Sequence, residues 1–406
     1  MGKARIALVG VSGFGNVHYE DIVRACKAGR ADIVCATVIN QAEESVKCDN
    51  LRSMGCVVFD DTAEMFREFA GKADLCFLPV GIGLHAAMAI AAMTNGMNVV
   101  LEKPLTATVQ EADSIIATSK KTGRFVAVAY QHMYQPQIKS LKQAVVSGEI
   151  GAVKAVRGIG KWPRGAAYYA RNNWAGKLRT KNGWILDSPV NNALAHYMNL
   201  VCYFGGKTLD DMAEIDSLQA GLYRANPEIE TFDTGFIRMT TPAGVKLLFV
   251  TSHMPEELLH PVIDIIGENG SVRWNMDSYE IKRKDGSSET VLNHSFQEDC
   301  DTLMGAVLKR LDSQNASVFT PEQARVLTVM VNAAHASAPI VQVPSEFVSK
   351  EKFGINDERY VWTGIDEIMR KSFEETRLPT TADFPFCKNG QPTDPREMTF
   401  FNGQYV

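Results

Sequence analysis

A lysine follows directly on an apolar, strand-like stretch in the first third of the chain. Residues Met97–Leu101 have the pattern of a buried strand, and Glu102, Lys103 and Pro104 come immediately after it. In an open α/β sheet, ligands bind at the carboxyl ends of the strands, so this position favours a role in binding or chemistry. Burial lowers the pKa of an amine, which makes Lys103 a candidate acid, base or anchor. The alternative is a strand end that is closed by a solvated Glu-Lys pair.

A glycine-rich turn near the start of the chain has the composition of a phosphate-binding loop. The apolar run Arg5–Val9 precedes it, and helical periodicity follows from Asn16 to Ala28. Glycines let the backbone approach a pyrophosphate, and a helix N-terminus supplies N–H groups and positive potential. The fit to G-x-G-x-x-G is imperfect, because a serine takes the second glycine position. The segment predicts a site for NAD or NADP, held by Gly10, Ser12, Gly13, Phe14 and Gly15.

The end of the second predicted strand, Ile33–Ile39, bears on which dinucleotide binds. An acidic residue at this place holds the ribose hydroxyls of NAD. Here Val38 occupies it, Asn40 follows, and no arginine nearby would pair with the extra phosphate of NADP. The sequence therefore does not choose between the two cofactors. Asn40 either bonds a ribose hydroxyl or caps the turn.

Alternating strands and helices must position these residues. A strand at Leu75–Pro79, an alanine-rich helix at His85–Asn95 and a further helix and strand up to Tyr130 continue the pattern. Such alternation predicts a parallel, doubly wound sheet. Three loops should then meet at its carboxyl edge, namely Gly10–Gly15, Pro79–His85 and Glu102–Pro104.

A predicted helix over Ser188–Gly205 carries a polar stripe without charge. Asn192, His196 and Asn199 are spaced i, i+4 and i+7 on an otherwise apolar helix. A solvent-facing stripe would be expected to contain Lys or Glu, so its composition favours a polar pocket. Asp187, just before the helix, is expected to serve the helix N-terminus.

Length, net charge and cysteine usage limit the classes of protein to which the chain can belong. A chain of 406 residues predicts two domains, and a net charge of −5 gives no electrostatic case for nucleic acid or an anionic membrane. The eight cysteines show no C-x-x-C pair and no zinc spacing, so we expect no metal and reduced thiols. Strand-like sequence begins at Arg5 and no apolar run is long enough to cross a membrane, which predicts a cytoplasmic protein.

The character of the sequence changes after Tyr130, where strand patterns become joined by hairpin-like turns. This indicates an open, largely antiparallel sheet in a second α/β domain. We assign residues 1–130 to the nucleotide-binding domain and 131–345 to this second domain. Residues 346–406, rich in Pro and Phe towards their end, are assigned to an extension that packs on this or a neighbouring subunit.

Together these features resemble the Gfo/Idh/MocA oxidoreductase family over roughly residues 4–340. The resemblance rests on the Gly10–His18 loop, Pro79 and His85, Glu102-Lys103-Pro104, Gln131 at the domain junction and His196 shortly before Gly206. It implies a Rossmann domain with NAD(P) and a second α/β domain whose sheet mediates a homo-oligomer, dimer or tetramer. It also implies oxidation or reduction of a hydroxyl of a small-molecule sugar, inositol or related polyol.

The resemblance also implies roles for individual residues. Lys103 matches the family's active-site lysine, and His196 matches its helix-borne histidine, which we expect to act as the base. Asn192 stands where the family commonly has Asp, so it is expected to hold a substrate hydroxyl or orient His196. The expected cofactor contacts are Gly10, Ser12, Gly13, Phe14, Gly15, Val38, Asn40, Pro79, His85, Glu102, Lys103 and Gln131.

A loop with two arginines and three aromatic residues precedes the predicted helix. Arg164, Tyr168, Arg171 and Trp174 are expected to face the sugar, since aromatic faces and forked donors suit a polyhydroxylated ring; the alternative is loop packing.

Two other functions of the protein stay open. One is a redox-neutral, glycosidase-type reaction through transient oxidation, and the other is a cofactor-binding regulator without turnover, against which the presence of Lys103 and His196 argues.

Overall fold

The structure, a computed structural model, describes residues 2–403. Its helices are α1 (Gly15–Lys27), α2 (Ser45–Ser53), α3 (Thr62–Glu68), α4 (His85–Thr94), α5 (Val109–Thr122), α6 (Pro136–Val146), α7 (Ala166–Ala170), α8 (Ala195–Phe204), α9 (Phe296–Asp312), α10 (Pro321–Ser337) and α11 (Ile365–Glu375). Its strands are β1 (Ala4–Val9), β2 (Ala31–Thr37), β3 (Val57–Phe59), β4 (Leu75–Leu78), β5 (Asn98–Leu101), β6 (Val126–Val128), β7 (Val153–Lys161), β8 (Arg179–Thr180), β9 (Gly183–Trp184), β10 (Ser217–Arg224), β11 (Thr234–Thr240), β12 (Lys246–Ser252), β13 (Leu259–Gly267), β14 (Gly270–Trp274), β15 (Ser278–Arg283), β16 (Ser288–Leu292), β17 (Ile340–Gln342), β18 (Val348–Lys352) and β19 (Glu358–Trp362).

The chain forms two compact units, each built from several segments. The first unit contains the residues up to Thr106 together with Gln110–Gln135 and Ser295–Arg325. The second contains Ala107–Val109, Pro136–His294 and the chain from Val326 onward. The segment Ser295–Arg325 thus belongs to the first unit, whereas the sequence placed it within 131–345. The domain limits drawn from the sequence stay a prediction.

The first unit is a six-stranded parallel sheet in the order β3-β2-β1-β4-β5-β6. All four residues of β4 and of β5 are buried, as expected for strands that are covered on both faces. From β1 the chain first adds strands on one side, β2 and β3, and then on the other side, from β4 to β6. In such sheets a ligand binds at the carboxyl ends of the two strands, here β1 and β4, between which the chain changes sides. The predicted doubly wound sheet is confirmed.

The second unit is built on a nine-stranded mixed sheet in the order β16-β15-β14-β13-β7-β12-β11-β10-β17. Only the pairs β7–β12 and β10–β17 are parallel, so the predicted, largely antiparallel sheet is also confirmed. Helix α8 packs on one face, where a Cβ at Gly158 would lie 2.9 Å from Val201 Cγ2. Since side chains alternate between the two faces of a strand, the neighbouring Ile159 points to the opposite face.

That opposite face is covered by the last part of the same chain. Trp362, Met369 and Phe373 form one apolar cluster with sheet residues such as Phe236 and Val250. Trp362 has only 1% of its surface exposed. The C-terminal extension therefore completes the core of its own unit.

Among residues 2–403, no helix combines the length and apolarity that a membrane crossing requires.

Candidate active site

The glycine-rich turn after β1 has the backbone conformation of a phosphate-binding loop. Gly10 and Gly13 have φ angles of 88° and 56°, the left-handed region that glycine adopts without steric cost. Gly15 lies so close to the loop that a Cβ on it would be 2.8 Å from the Gly10 carbonyl oxygen. By contrast, a Cβ on Gly13 would have no atom within 4 Å. Gly15 thus serves close packing of the turn, and the open approach lies over Gly13.

The N-terminus of α1 begins at this turn and suits an anion. Its N-cap is Phe14, whose side chain makes no capping hydrogen bond, and the first turn contains no acidic residue. The positive end of the helix dipole is therefore not offset by a carboxylate of that turn. With the open space over Gly13, these features fit the pyrophosphate of NAD(P) in a cradle formed by Gly10–Gly15.

A carboxylate that the sequence reasoning missed stands beside the cradle. The Ser12 hydroxyl donates to Glu44 Oε1 over 2.7 Å, and Lys47 Nζ lies 2.8 Å from Glu44 Oε2. The hydrogen bonds from Lys47 and Ser12 lower the pKa of the Glu44 carboxyl, so this group is ionised at neutral pH. Lys47 Nζ also donates to the Val11 carbonyl oxygen over 2.8 Å. Glu44 therefore places an ionised carboxylate, paired with the Lys47 ammonium, next to the loop.

The two residues that the sequence assigned to the ribose have different surroundings. Val38 is fully buried, so it offers an apolar wall and no hydrogen bond. The Asn40 amide donates to Glu43 Oε2 over 2.9 Å and to Ser12 Oγ over 3.2 Å, which ties this connection to the glycine loop. The pair of glutamates shortly after β2 was the available sequence signal for Glu44. Its spacing from the strand did not show which of the two side chains faces the glycine loop.

A buried hydrogen bond links the Lys103 loop to α1. Glu102 Oε1 lies 2.7 Å from His18 Nε2, and Glu102 Oε2 accepts the Lys103 backbone N–H over 3.1 Å. Both His18 and Glu102 are buried. The backbone of Lys103 is thus held at the end of β5 by a residue of the cofactor-binding helix. Sequence reasoning placed His18 in the loop motif but did not pair it with Glu102.

His85 connects the remaining two loops. Its Nδ1 lies 2.8 Å from the Pro104 carbonyl oxygen, and its Nε2 lies 3.0 Å from that of Val80. Burial lowers the pKa of this imidazole, so it is neutral at physiological pH. Pro79 lies against the glycine turn, 3.5 Å from the position of a Cβ on Gly15. The three loops meet at one edge of the sheet, as the sequence predicted.

Gln131, the remaining expected cofactor contact, is buried at the start of a short 3₁₀ turn, Gln131–Tyr134, that follows β6. It belongs to the same unit as the three loops. The structure therefore brings every sequence-predicted cofactor residue into the first unit.

In the second unit, the polar stripe differs from the prediction. Helix α8 begins at Ala195, and residues Ser188–Leu194 form turns, so the predicted helix start at Ser188 is wrong. Asn192 therefore precedes the helix, and only His196 and Asn199 lie on it. Asn199 is fully buried, whereas His196 is half-buried in the first turn. Five residues, Val190–Leu194, separate the Ser-Pro pair from the first helical residue, so the pair opens a turn here.

Asp187 has a different role from the one expected. Its Oδ2 accepts the Gly176 backbone N–H over 2.7 Å, and its Oδ1 accepts from Asn192 Nδ2 over 2.8 Å. The expectation that it serves the helix N-terminus is therefore wrong, because the helix starts eight residues later. This buried carboxylate instead orients the Asn192 amide next to the turn that leads to His196.

The arginine-rich loop folds around one tyrosine. The Arg164 and Arg171 guanidinium carbons lie 4.5 Å and 3.6 Å from the centre of the Tyr168 ring, and Arg171 lies 5.4 Å from that of Trp174. Cation–π contacts of this kind order a loop by about 0.5–2 kcal/mol each. The four residues predicted to face the sugar therefore form one cluster in the second unit. No group of three His, Cys, Asp or Glu placed to hold a metal occurs within residues 2–403.

The fold and the glycine loop are those of a protein that binds a nicotinamide dinucleotide. A family model for oxidoreductases with an NAD-binding Rossmann fold, Gfo/Idh/MocA, matches residues 4–130, and the model for a Gfo/Idh/MocA C-terminal domain matches residues 138–273. The chain belongs to this family. The resemblance seen in the sequence is thereby confirmed.

Individual relatives share low identity over most of the chain. Inositol 2-dehydrogenase of Rubrobacter xylanophilus is 25% identical over 67% of this chain and 71% of that protein. Inositol 2-dehydrogenase/D-chiro-inositol 3-dehydrogenase of Lacticaseibacillus casei is 22% identical over 72% and 78%. Levoglucosan dehydrogenase, solved with NADH and L-sorbose, superposes with a TM-score of 0.70 at 15% identity, covering 82% of this chain and 96% of that one. This last likeness shows the shared fold.

Proposed function

We propose that the protein is an NAD(P)-dependent dehydrogenase that acts on a hydroxyl or carbonyl group of a sugar, an inositol or a related polyol. The observation that carries this is the direct link between the cofactor cradle and Lys103. The first helix after the cradle holds Glu102 through His18, and Glu102 holds the Lys103 backbone. The names of the inositol and levoglucosan dehydrogenases support the polyol class.

The chemistry divides between the cofactor and the side chains. Bound NAD(P) supplies the hydride acceptor or donor. We propose that His196 acts as the general base for the substrate hydroxyl and that Lys103 binds the same oxygen and stabilises its developing negative charge. Asn192 cannot accept a proton, so it positions a substrate hydroxyl or the His196 ring from the orientation that Asp187 gives it.

The remaining proposed contacts divide along the two units. The cofactor is held by the glycine loop, by the Val38–Asn40 segment with Glu44, and by Pro79, Glu102 and Gln131. His85 positions the Lys103 loop, because the one N–H of its neutral ring donates to a backbone carbonyl oxygen, of Pro104 or of Val80 according to the tautomer. The sugar-facing residues are Arg164, Tyr168, Arg171 and Trp174.

Single substitutions at His196 and Asp187 test this assignment. Turnover of His196→Ala should fall by about 10²–10⁴, the usual contribution of a general base, with a smaller change in KM. Asn192→Ala should mainly raise KM, and Asn192→Asp should be tolerated. Cofactor affinity, measured by NADH fluorescence, serves as the control and should not change. Near-normal turnover in His196→Ala with a large loss in Asp187→Asn would assign the base to Asp187 instead.

We further propose a homo-oligomer, dimer or tetramer, that forms through the sheet of the second unit. The neighbouring strands β7, β13 and β14 of this sheet carry a charged network of Arg157, Asp264 and Arg273, with N···O distances of 3.2 Å and 2.8 Å. Light scattering after size-exclusion chromatography gives the mass of the assembly, and a monomer would contradict the proposal.

The eight free cysteines, several of them buried, favour a reducing cytoplasmic location, which cell fractionation tests.

A further inference from the structure

Two guanidinium groups lie against the same aromatic ring in the second unit. Arg164 and Arg171 both contact the Tyr168 ring, at 4.5 Å and 3.6 Å. Arg171 Nη1 also donates to the Tyr168 carbonyl oxygen over 2.5 Å, and the Arg164 backbone N–H donates to the His253 carbonyl oxygen over 3.1 Å. These contacts fix two like charges in one small region, which costs free energy unless something offsets them.

Within the described part of the chain, residues 2–403, neither guanidinium has a carboxylate oxygen within 4.0 Å. The Arg164 Nε atom is buried and has no hydrogen-bond partner there. Most other arginines among these residues do have a carboxylate oxygen within 4.0 Å, for example Arg157 with Asp264. A buried N–H of a charged group without an acceptor is costly, so the arrangement favours an acceptor that the protein itself does not supply.

The carboxylates in the neighbourhood are committed elsewhere. Asp187 accepts from Gly176 and Asn192. Asp233 is fully buried and accepts from two backbone N–H groups, and burial raises its pKa to about 7. Asp357 Oδ1 accepts the Ala167 backbone N–H over 3.2 Å. Each of these three carboxylates thus accepts a hydrogen bond from a group other than the two arginines.

The electrostatic effect of the two arginines is seen at the neighbouring His253. Burial and then the positive charges of Arg164 and Arg171 lower the pKa of this imidazole to about 3. His253 is therefore neutral and adds no positive charge, and it does not compete for an anion. Each of the two guanidinium groups is a forked, positively charged donor, the kind of group that binds an oxyanion.

The cluster adjoins the helix that carries the proposed base. The Trp162 ring lies 5.5 Å from the Arg164 guanidinium carbon and packs edge-on against Tyr197, with ring centres 5.7 Å apart. Tyr197 directly follows His196 on α8. An anion at the arginines would thus belong to the same molecule that reaches the first turn of α8.

We propose that Arg164 and Arg171 form a subsite for an oxyanion, so that the sugar or polyol on which the enzyme acts carries a carboxylate or a phosphate group. This inference rests on the proposed dehydrogenase function and specifies its substrate class. The Tyr168 ring contacts both guanidinium groups, and the Trp174 ring contacts that of Arg171, so the aromatic side chains fix the positions of the two donors.

The test compares three matched probes, D-glucose, D-glucuronate and D-glucose 6-phosphate, on the cofactor-loaded enzyme. Binding is measured by calorimetry and turnover by the absorbance of reduced nicotinamide. One or both anions should bind better than glucose, and the choice between them tells a carboxylate from a phosphate substrate. Arg164→Gln and Arg171→Gln should each weaken anion binding about 10- to 150-fold, which corresponds to the loss of one charge-assisted hydrogen bond. Arg171→Lys should restore part of the affinity, and anion binding should weaken as salt is added.

Arg179→Gln is the matched control. Arg179 also lies over an aromatic ring, 5.2 Å from the centre of Trp184, but it is a single guanidinium, and its loss should not affect anion binding. Equal binding of glucose and both anions, no binding of either anion, or an anion preference that survives both glutamine variants would overturn the subsite. If the anions bind but no probe reduces the cofactor, the subsite stands and the proposed dehydrogenase function is in question.

Discussion

Replacing Gly13 with alanine should separate cofactor binding from folding. Gly13 has a φ of 56°, and a Cβ there would have no protein atom within 4 Å. The substitution therefore costs only the left-handed backbone penalty of an L-residue, about 1–2 kcal/mol. The new methyl group points into the space where the pyrophosphate would approach. Crowding by an added methyl group costs about 1–3 kcal/mol, which predicts a dissociation constant for NADH raised about 5- to 150-fold.

Gly29→Ala is the matched control for this experiment. Gly29 follows the opposite end of α1, has a φ of 70° and also has open space around a Cβ. Both variants should lose a similar, small amount of stability in thermal unfolding of the cofactor-free protein. Fluorescence titration with NADH should then find normal affinity in Gly29→Ala and weak binding in Gly13→Ala. Equal NADH affinity in the two variants would refute the assignment of the cradle. Gly15 is unsuitable for this test, because a side chain there collides with the Gly10 carbonyl oxygen.

Three further predictions concern cofactor choice, pH dependence and the C-terminal extension. Glu44→Gln should improve NADP binding relative to NAD by about fivefold, since it removes a charge worth ~1 kcal/mol against a 2′-phosphate, whereas Glu43→Gln should not. Burial lowers the pKa of Lys142 to about 7 from its ordinary 10.5, so the unfolded chain binds more protons between these values. Stability should therefore rise with pH across this window, and Lys142→Met should remove part of the rise in denaturant titrations; an unchanged slope would contradict this. Trp362→Ala should lower the free energy of unfolding by about 3–5 kcal/mol, and Ile355→Ala, at a side chain 93% exposed, should leave it within about 0.5 kcal/mol.

The features that the sequence predicted well depend on local pattern. The strand–turn–helix at Gly10–Gly15 and the strand end at Lys103 follow from apolar runs and glycine positions, which act over a few residues. The alternation of such units then implies the parallel sheet. The convergence of the three loops needed no further information, because carboxyl ends of parallel strands share one edge.

The features that the sequence missed depend on contacts between distant residues. His18 pairs with Glu102, 84 positions away, and Ser12 pairs with Glu44, 32 positions away. No spacing rule connects such partners before the fold is known. The start of α8 was misplaced for a different reason, since Ser188-Pro189 is a good signal for a helix and for a turn alike. Only packing around Asp187 and Asn192 decides between them.

The most direct test of the central claim is the reduction of NAD by a polyol in the presence of the purified enzyme. A panel of inositols, sugars, sugar acids and sugar phosphates is mixed with the NAD-loaded protein, and the absorbance of reduced nicotinamide is followed. We expect reduction by at least one panel member, at a rate that falls about 10²–10⁴-fold in His196→Ala. Bound cofactor that is reduced by chemical means yet never by any member of the panel would contradict a polyol dehydrogenase.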